Sequence, residues 1–322
     1  LWNLFKIEVM SATNHTGSSV TDFFIVGFPG LQDQGSKTIL FFAFLVAYII
    51  IVLGNLLIIF IFVFDESLHT PMYLLICSLA VFDISFPSII VPKMLALFLL
   101  NSNFISFYAC FTQMFFYMSM GTAEGFLLTV MAYDRYLAIC KPLHYHNKMT
   151  NSLAIRHVVW CCTGGFLSLI IPTILAVRLP FCGPDKIFHC WCDLSSVVRL
   201  ACANIVTNSI LGLTIALCVL LTPLFLILLS YVMIIKSVLQ ISSSDGKIKA
   251  FSTCTSHLLV ISVYFLTSVF VYISYRIPGT SEDFRIMAAV IHVVIPSLVN
   301  PFIYCLRTKD IRDSFNNTLK KS

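Results

Sequence analysis

Charged residues are scarce in this chain. Of its 322 residues only 11% are Asp, Glu, Lys or Arg, whereas 58% are hydrophobic and the mean hydropathy is +0.92. A soluble domain usually carries about 25% charged residues on its surface. The shortage therefore excludes a water-soluble globular protein and predicts an integral membrane protein.

The chain also lacks the patterns that mark several other classes of function. It has no glycine-rich phosphate-binding loop, no cysteine–histidine spacing typical of zinc, no basic segment typical of nucleic-acid readers and no nucleophile paired with a base. Its two halves do not repeat. We therefore expect neither an enzyme nor a nucleic-acid partner.

What the chain does contain is seven apolar runs, and a spanning helix needs only roughly 20 apolar residues. They cover residues 39–64, 72–99, 107–140, 152–177, 207–240, 248–275 and 284–306. These runs predict an all-α membrane protein, a bundle of seven transmembrane helices over residues 39–306. An N-terminal tail, 1–38, precedes the bundle, and a second tail, 307–322, follows it. Met10 is a plausible natural start.

The orientation follows from polar residues outside the runs. Lys and Arg are more numerous at the end of the predicted bundle where Arg135 lies, near the end of the third run. This excess predicts that this end of the bundle is cytoplasmic. Asn14 begins an Asn-His-Thr glycosylation acceptor in the first tail. Four cysteines crowd the long segment 178–206, as is typical of an oxidising compartment. We expect a multi-pass protein of the plasma membrane with an extracellular N-terminal tail and membrane lipid around it.

Two acids lie inside the predicted bundle. Asp83 and Glu124 are each about eleven residues, roughly 16 Å, from the inner end of their helices. Two carboxylates at one depth cannot both be ionised without compensation. Either they share a proton or a small cation such as sodium, with Asn55 and Asn300 near, or each is satisfied by its own amide network. The same acids are the only feature favouring a second class, a secondary transporter.

Five runs of residues, in order along the chain, resemble those of one family. They are LHTPMY (Leu68–Tyr73), MAYDRYLAICKPL (Met131–Leu143), SY (Ser230–Tyr231), KAFSTCTSHL (Lys249–Leu258) and PSLVNPFIY (Pro296–Tyr304). Together they resemble an olfactory receptor, a rhodopsin-like receptor coupled to G proteins, over residues 23 to 312.

The resemblance implies a mechanism. A small odorant would bind in the outer half of the bundle, and the sixth span would then move outward to admit a heterotrimeric G protein of the stimulatory, olfactory type. The residues implied in this inner switch are Asp134, Arg135, Tyr231, His257, Asn300 and Tyr304. The disulfides implied are Cys110–Cys192 and Cys182–Cys202, which would leave Cys190 free.

The resemblance also implies a ligand pocket with a mostly apolar wall, as suits a sparingly soluble molecule. Its lining would be Met114, Tyr117, Met118, Gly121, Thr122, Ile215, Ala216, Ser268, Tyr272 and Arg276. Arg276 stands one turn beyond Tyr272 and suits a carboxylate ligand. The alternative is that Arg276 pairs with Glu282 or Asp283 in the adjacent loop.

Two features need separate mention. Phe265 occupies a position where the family usually has tyrosine, so a hydroxyl expected there is missing. After the seventh span, Ile311, Phe315 and Leu319 recur at four-residue spacing, which predicts a short amphipathic helix on the inner leaflet.

Overall fold

The computed structural model describes residues 20–183, 185–240, 243–308 and 310–315. Within this part of the chain, seven helical segments are long and apolar enough to cross a membrane. They are α1 (Gln34–Phe64), α2 with α3 (Pro71–Ser88 and Val91–Leu100), α4 (Phe107–Cys140), α6 (Asn151–Val177), α8 (Val206–Leu239), the Cys254–Ser274 part of α9 (Ser244–Ser274) and α10 (Glu282–Arg307). A short helix, α7 (Leu194–Val198), lies in the long loop between α6 and α8. The predicted seven-helix bundle is confirmed.

Helix ends follow local chemistry. Asp33 caps α1 by accepting the Ser36 amide at 2.8 Å, so this helix begins five residues before the apolar run does. The second span, predicted as one helix, is broken after Ser88. Pro87 and Pro92 flank the break, and each lacks the amide hydrogen that a continuous helix would use.

The sequence did not predict a small sheet at the outer end, by which we mean the end opposite Arg135. Three short strands form a sheet there: β1 (Asp22–Ile25), β2 (Phe104–Ser106) and β3 (Lys186–Ile187). β1 lies in the middle, antiparallel to β2 and parallel to β3. Part of the N-terminal tail is thus built into the fold, and its Phe23 is fully buried against Phe107 and Phe181.

The third span, α4, is the centre of the bundle. It packs against α2, α6, α8 and α9. At Gly165 of α6 the two backbones come so close that a Cβ would lie 2.6 Å from the Ser119 carbonyl oxygen. Outward-facing Leu and Phe side chains of α1, α6 and α8 remain exposed, as expected for surfaces that meet lipid.

Two short helices close the inner end. α5 (Pro142–Lys148) follows α4 directly, and residues 310–315 form a helical turn after α10. In that turn Ile311 is buried in the bundle core with Phe315 packed beside it, so these two apolar residues face protein as well as the membrane boundary. Asp310 accepts a 2.5 Å hydrogen bond from the Tyr73 hydroxyl. Leu319 lies outside the described residues.

Candidate functional site

A buried ion pair occupies the inner end of α4. Nε of Arg135 donates to Oδ2 of Asp134 at 3.0 Å, and Nη2 donates to the same oxygen. Both side chains are almost completely buried. The other oxygen, Oδ1, accepts a 2.8 Å hydrogen bond from the Tyr145 hydroxyl of α5. Both oxygens of the Asp134 carboxylate therefore accept hydrogen bonds, one from Tyr145 and the other from the guanidinium of Arg135.

Three of the other predicted switch residues surround Arg135. Tyr231, His257 and Tyr304 are buried, and all three interact electrostatically with the guanidinium. The rings of His257 and Tyr304 meet edge to face at 5.8 Å. In the described part of the chain, neither tyrosine hydroxyl has a hydrogen-bond partner, nor does Nδ1 of His257. Buried donors left in this way cost about 1–3 kcal/mol each.

Asn300, assigned to the same switch and also expected near the buried acids, lies beside Asp83. Its Nδ2 donates to both carboxylate oxygens of Asp83, at 3.2 and 3.0 Å. Asn55 faces the bundle interior as expected, where its Nδ2 donates to the carbonyl oxygens of Ile51 and Ser297. The amide oxygens of Asn55 and Asn300 have no donor among the described residues.

Glu124 is buried within electrostatic reach of Asp83. In the described chain no hydrogen bond reaches its carboxyl group, so the predicted separate amide network applies to Asp83 only. No cluster of three or more His, Cys, Asp or Glu side chains able to hold a metal occurs among the described residues. A sodium site here would therefore need the amide and hydroxyl oxygens as ligands.

The predicted ligand residues of α4 and α9 meet around Tyr264. Its hydroxyl donates to the Gly121 carbonyl oxygen at 2.8 Å, and Ser268 donates to its carbonyl oxygen at 2.8 Å. Tyr117 stacks on Phe86 at 5.3 Å. Met114 and Thr122 are buried, and Met118, Tyr272, Ile215 and Ala216 are half-buried. Aromatic rings thus fill the space next to several residues of the predicted wall.

Two of the cavities in the described structure are lined neither by a switch tyrosine nor by any of the ten predicted ligand residues. One, of about 700 Å³, lies on the outside of α3 and α4; the other, of about 500 Å³, lies between α2, α4 and α5 and includes Arg135.

Sequence reasoning missed Tyr264, His292 and Tyr145. Tyr264 supplies a buried hydroxyl. It lies one residue before Phe265, the position at which the tyrosine hydroxyl usual in the family is missing. His292 contacts the hydroxyls of Thr267 and Ser268, at 3.1 and 3.4 Å. A lone histidine in the apolar run of α10 was a usable signal; Tyr145, in a loop, gave none.

Arg276 is exposed at the outer end. The acids expected to neutralise it are engaged elsewhere: Glu282 pairs with Arg285 at 2.9 Å, and Asp283 accepts the Gly30 amide at 3.0 and 3.2 Å. The alternative interpretation of Arg276 as their ion-pair partner is therefore wrong for this structure.

One disulfide ties the long outer loop to the bundle, and a second closes a ring within the loop. Cys110 of α4 is bonded to Cys192, with Cα atoms 5.4 Å apart, and Cys182 is bonded to Cys202, with Cα atoms 6.0 Å apart. Cys190 is a free, fully buried thiol. Asn14 lies outside the described residues.

A seven-span bundle with a buried acid–arginine pair at the inner end of its third span has the architecture of a rhodopsin-like receptor. A family model for olfactory receptors matches residues 44–322. Human olfactory receptor 6N1 is 41% identical over 304 residues, covering 94% of this chain and 96% of the relative. Human olfactory receptor 2AT4 is 39% identical with 97% of each covered, and rat olfactory receptor 1f45 is 40% identical with 96% and 97% covered.

The chain belongs to the olfactory receptor family, and it is a multi-pass membrane receptor for odorants that couples to G proteins. Nothing in the fold or among these relatives favours the transporter.

Proposed function

We propose that this receptor signals by exchanging the partners of Arg135. In the structure Asp134 holds the guanidinium, while the hydroxyls of Tyr231 and Tyr304 lie near it unpaired. A second arrangement, in which Arg135 donates to these hydroxyls, would satisfy groups that are now unsatisfied. Two such arrangements of similar energy are what a ligand needs in order to shift a population. This cluster is the observation that carries the proposal.

The second arrangement would open the inner end beside α9 to a heterotrimeric G protein of the stimulatory, olfactory type. The inner end would then be cytoplasmic and the N-terminal tail extracellular, at the plasma membrane. The excess of Lys and Arg at the inner end and the disulfides at the outer end support this orientation.

The odorant would bind between α4, α8 and α9, against the ten residues named above. Tyr264 and His292 support this placement, because they set buried polar atoms beside Gly121 and Ser268 in a largely apolar region. Entry of a ligand would require the Phe86–Tyr117 stack to move. Arg276, left without an acid partner in the described chain, would contribute charge at the mouth of the pocket.

The acids Asp83 and Glu124 would share a sodium ion or a proton. The unpaired amide oxygens of Asn55 and Asn300 support the cation, because both are neutral oxygen ligands and Asn300 lies beside the Asp83 carboxylate. The receptor would need no other cofactor.

A ligand screen tests whether the receptor signals in response to an odorant and whether Arg276 contributes to its ligand site. Matched acids, alcohols and amines are applied to cells expressing wild type or Arg276→Ala, and cyclic-nucleotide output is recorded. We expect output to rise with at least one ligand class, and any acid response to weaken in the variant. An acid response of undiminished potency would remove Arg276 from the ligand site. Ligand-dependent solute uptake without second-messenger output would contradict the receptor mechanism itself.

A further inference from the structure

The cavity of about 700 Å³ opens on the outside of the bundle, between α3, β2 and α4. Its walls include the apolar side chains of Ile89, Ile105 and Phe116. Phe104 and Tyr108 stand at its edge, 64% and 81% exposed. Pockets for small organic ligands span about 300–1,000 Å³. The groove therefore has the volume of a binding site, and it faces the region where lipid would lie.

Lys93 is the only charged side chain among the groove's lining residues. Its Nζ donates to the carbonyl oxygens of Ser102 and Phe104, at 2.8 and 2.7 Å, and to the Ser102 hydroxyl at 3.1 Å. All three acceptors are neutral. No carboxylate lies within ion-pair distance of Lys93 among the described residues. The ammonium is thus fixed in place with its positive charge uncompensated, and its longest contact is to a hydroxyl that an anion could replace.

The start of α4 adds to this positive potential. Helix N-termini carry partial positive charge, and Tyr108 and Ala109 of the first turn line the groove. The cap there is weak, because the Ala109 amide lies 3.4 Å from the Ser106 hydroxyl oxygen. The positive charge and the apolar walls of the groove together suit a molecule with a long apolar part and one negative group.

Gln113 connects the groove to the outer loop. Its Nε2 donates to the Ile89 carbonyl oxygen at 3.1 Å, and its Oε1 accepts the Cys192 amide at 3.2 Å. A molecule lying in the groove would therefore touch the residue that positions the disulfide-bonded end of the loop.

We propose that this groove binds an amphiphile with one apolar chain and a carboxylate, such as a long-chain fatty acid, entering from the surrounding lipid. One lysine matches the single charge of a carboxylate, whereas a phosphate monoester carries about −1.5 to −2. A phospholipid phosphodiester also carries one charge, but on a molecule with two apolar chains. The site is separate from the odorant pocket and does not depend on how Arg135 switches.

Photolabelling of the purified full-length receptor in lipid nanodiscs tests the proposal. The probes are a diazirine- and alkyne-bearing palmitate and the corresponding fatty alcohol, with labelled peptides located by mass spectrometry. Lys93→Gln removes the charge, and Ala109→Phe narrows the groove without changing charge. Lys37→Gln is the matched control, because Lys37 is another outer-end lysine but hydrogen-bonds to Asn101 and does not line the groove.

We expect saturable labelling of residues 89–116 by the acid, about tenfold or more above that by the alcohol, as a charge-assisted contact implies. Lys93→Gln should lower acid labelling to the alcohol level, Ala109→Phe should reduce both, and Lys37→Gln should change neither. Equal labelling of wild type by acid and alcohol, or undiminished acid labelling of Lys93→Gln, would show that ordinary lipid fills the groove. If Lys93→Gln fails to fold, the acid–alcohol comparison in wild type and in Ala109→Phe decides.

Discussion

Tyr145 and Arg135 share one carboxylate. The Tyr145 hydroxyl donates to Oδ1 of Asp134 at 2.8 Å, and the guanidinium of Arg135 binds Oδ2. Tyr145 of α5 therefore fixes the orientation of the acid that restrains the arginine. The buried ion pair depends on α5 as well as on α4.

Removing that loop contact should favour the open state. Tyr145→Phe deletes a half-buried hydrogen bond to a charged group, worth about 1 kcal/mol here, so the population of the open state should rise about fivefold. Ligand-independent cyclic-nucleotide output measures the population of the open state. Tyr133→Phe is the control, because Tyr133 is an exposed tyrosine of α4 next to Asp134. Unchanged or lower basal output in Tyr145→Phe would contradict the prediction.

The unpaired hydroxyl of Tyr304 should affect the response to agonist but not the stability of the ligand-free receptor. In Tyr304→Phe we expect an unchanged or higher melting temperature of the ligand-free receptor, since no hydrogen bond is lost, but a severalfold lower maximal response to agonist. Tyr73→Phe should instead lower the melting temperature and change the maximal response little, because the Tyr73 hydroxyl already bonds to Asp310. Thermal unfolding and dose–response curves measure the two effects. A lowered melting temperature in Tyr304→Phe would mean that its hydroxyl is already bonded at rest.

The two buried acids provide a separate test. If Asp83 and Glu124 share a cation, Glu124→Gln should weaken the dependence of agonist affinity on sodium and shift basal signalling. Radioligand or fluorescent-ligand competition in sodium and in choline buffers measures this. Glu66→Gln changes an exposed acid and serves as the control. Unaltered sodium dependence in Glu124→Gln would leave only a shared proton.

The outer loop should lose stability in acid. Burial lowers the pKa of His189 from 6.5 to about 4, and the charge of Asp193 offsets this only partly. Between these values the unfolded chain binds a proton that the folded chain does not. The contribution to stability is therefore complete above about pH 6.5 and falls towards pH 4, by about 1.4 kcal/mol per pH unit.

Melting temperatures between pH 7 and pH 4.5 measure that loss. His189→Asn retains an acceptor for the Trp191 amide but cannot titrate, so its melting temperature should fall less steeply. Parallel curves for the two proteins would exclude His189 as the group responsible.

Peptide mapping without reduction checks the cysteine pairing. We expect Cys110 joined to Cys192 and Cys182 joined to Cys202, with Cys190→Ala leaving both bonds in place. Loss of either bond should cost about 2–4 kcal/mol of stability. A peptide joining Cys110 to Cys190 would overturn this pairing.

The sequence predicts the bundle well because spanning helices are set by hydropathy, a local property. The outer sheet could not be foreseen, because Phe24 pairs with Phe104 and Lys186, and strands this short leave no periodic pattern. Depth along the helices brought Asp83 and Glu124 together correctly. It placed Asn300 near these acids as well, where the structure has it bonded to Asp83. It could not predict that Asn300 would stay out of the arginine cluster, since that depends on the rotation of α10.

The position of β1 in that sheet constrains how the protein is made. The polypeptide grows from its N-terminus, so β1 appears first, yet one of its partners, β3, follows only after α6. Until then one edge of β1 has no strand to pair with, and the closure of such a long loop is slow. Completion of the outer end is therefore a late step of biogenesis, because it cannot precede the synthesis of α6 and the loop that follows it.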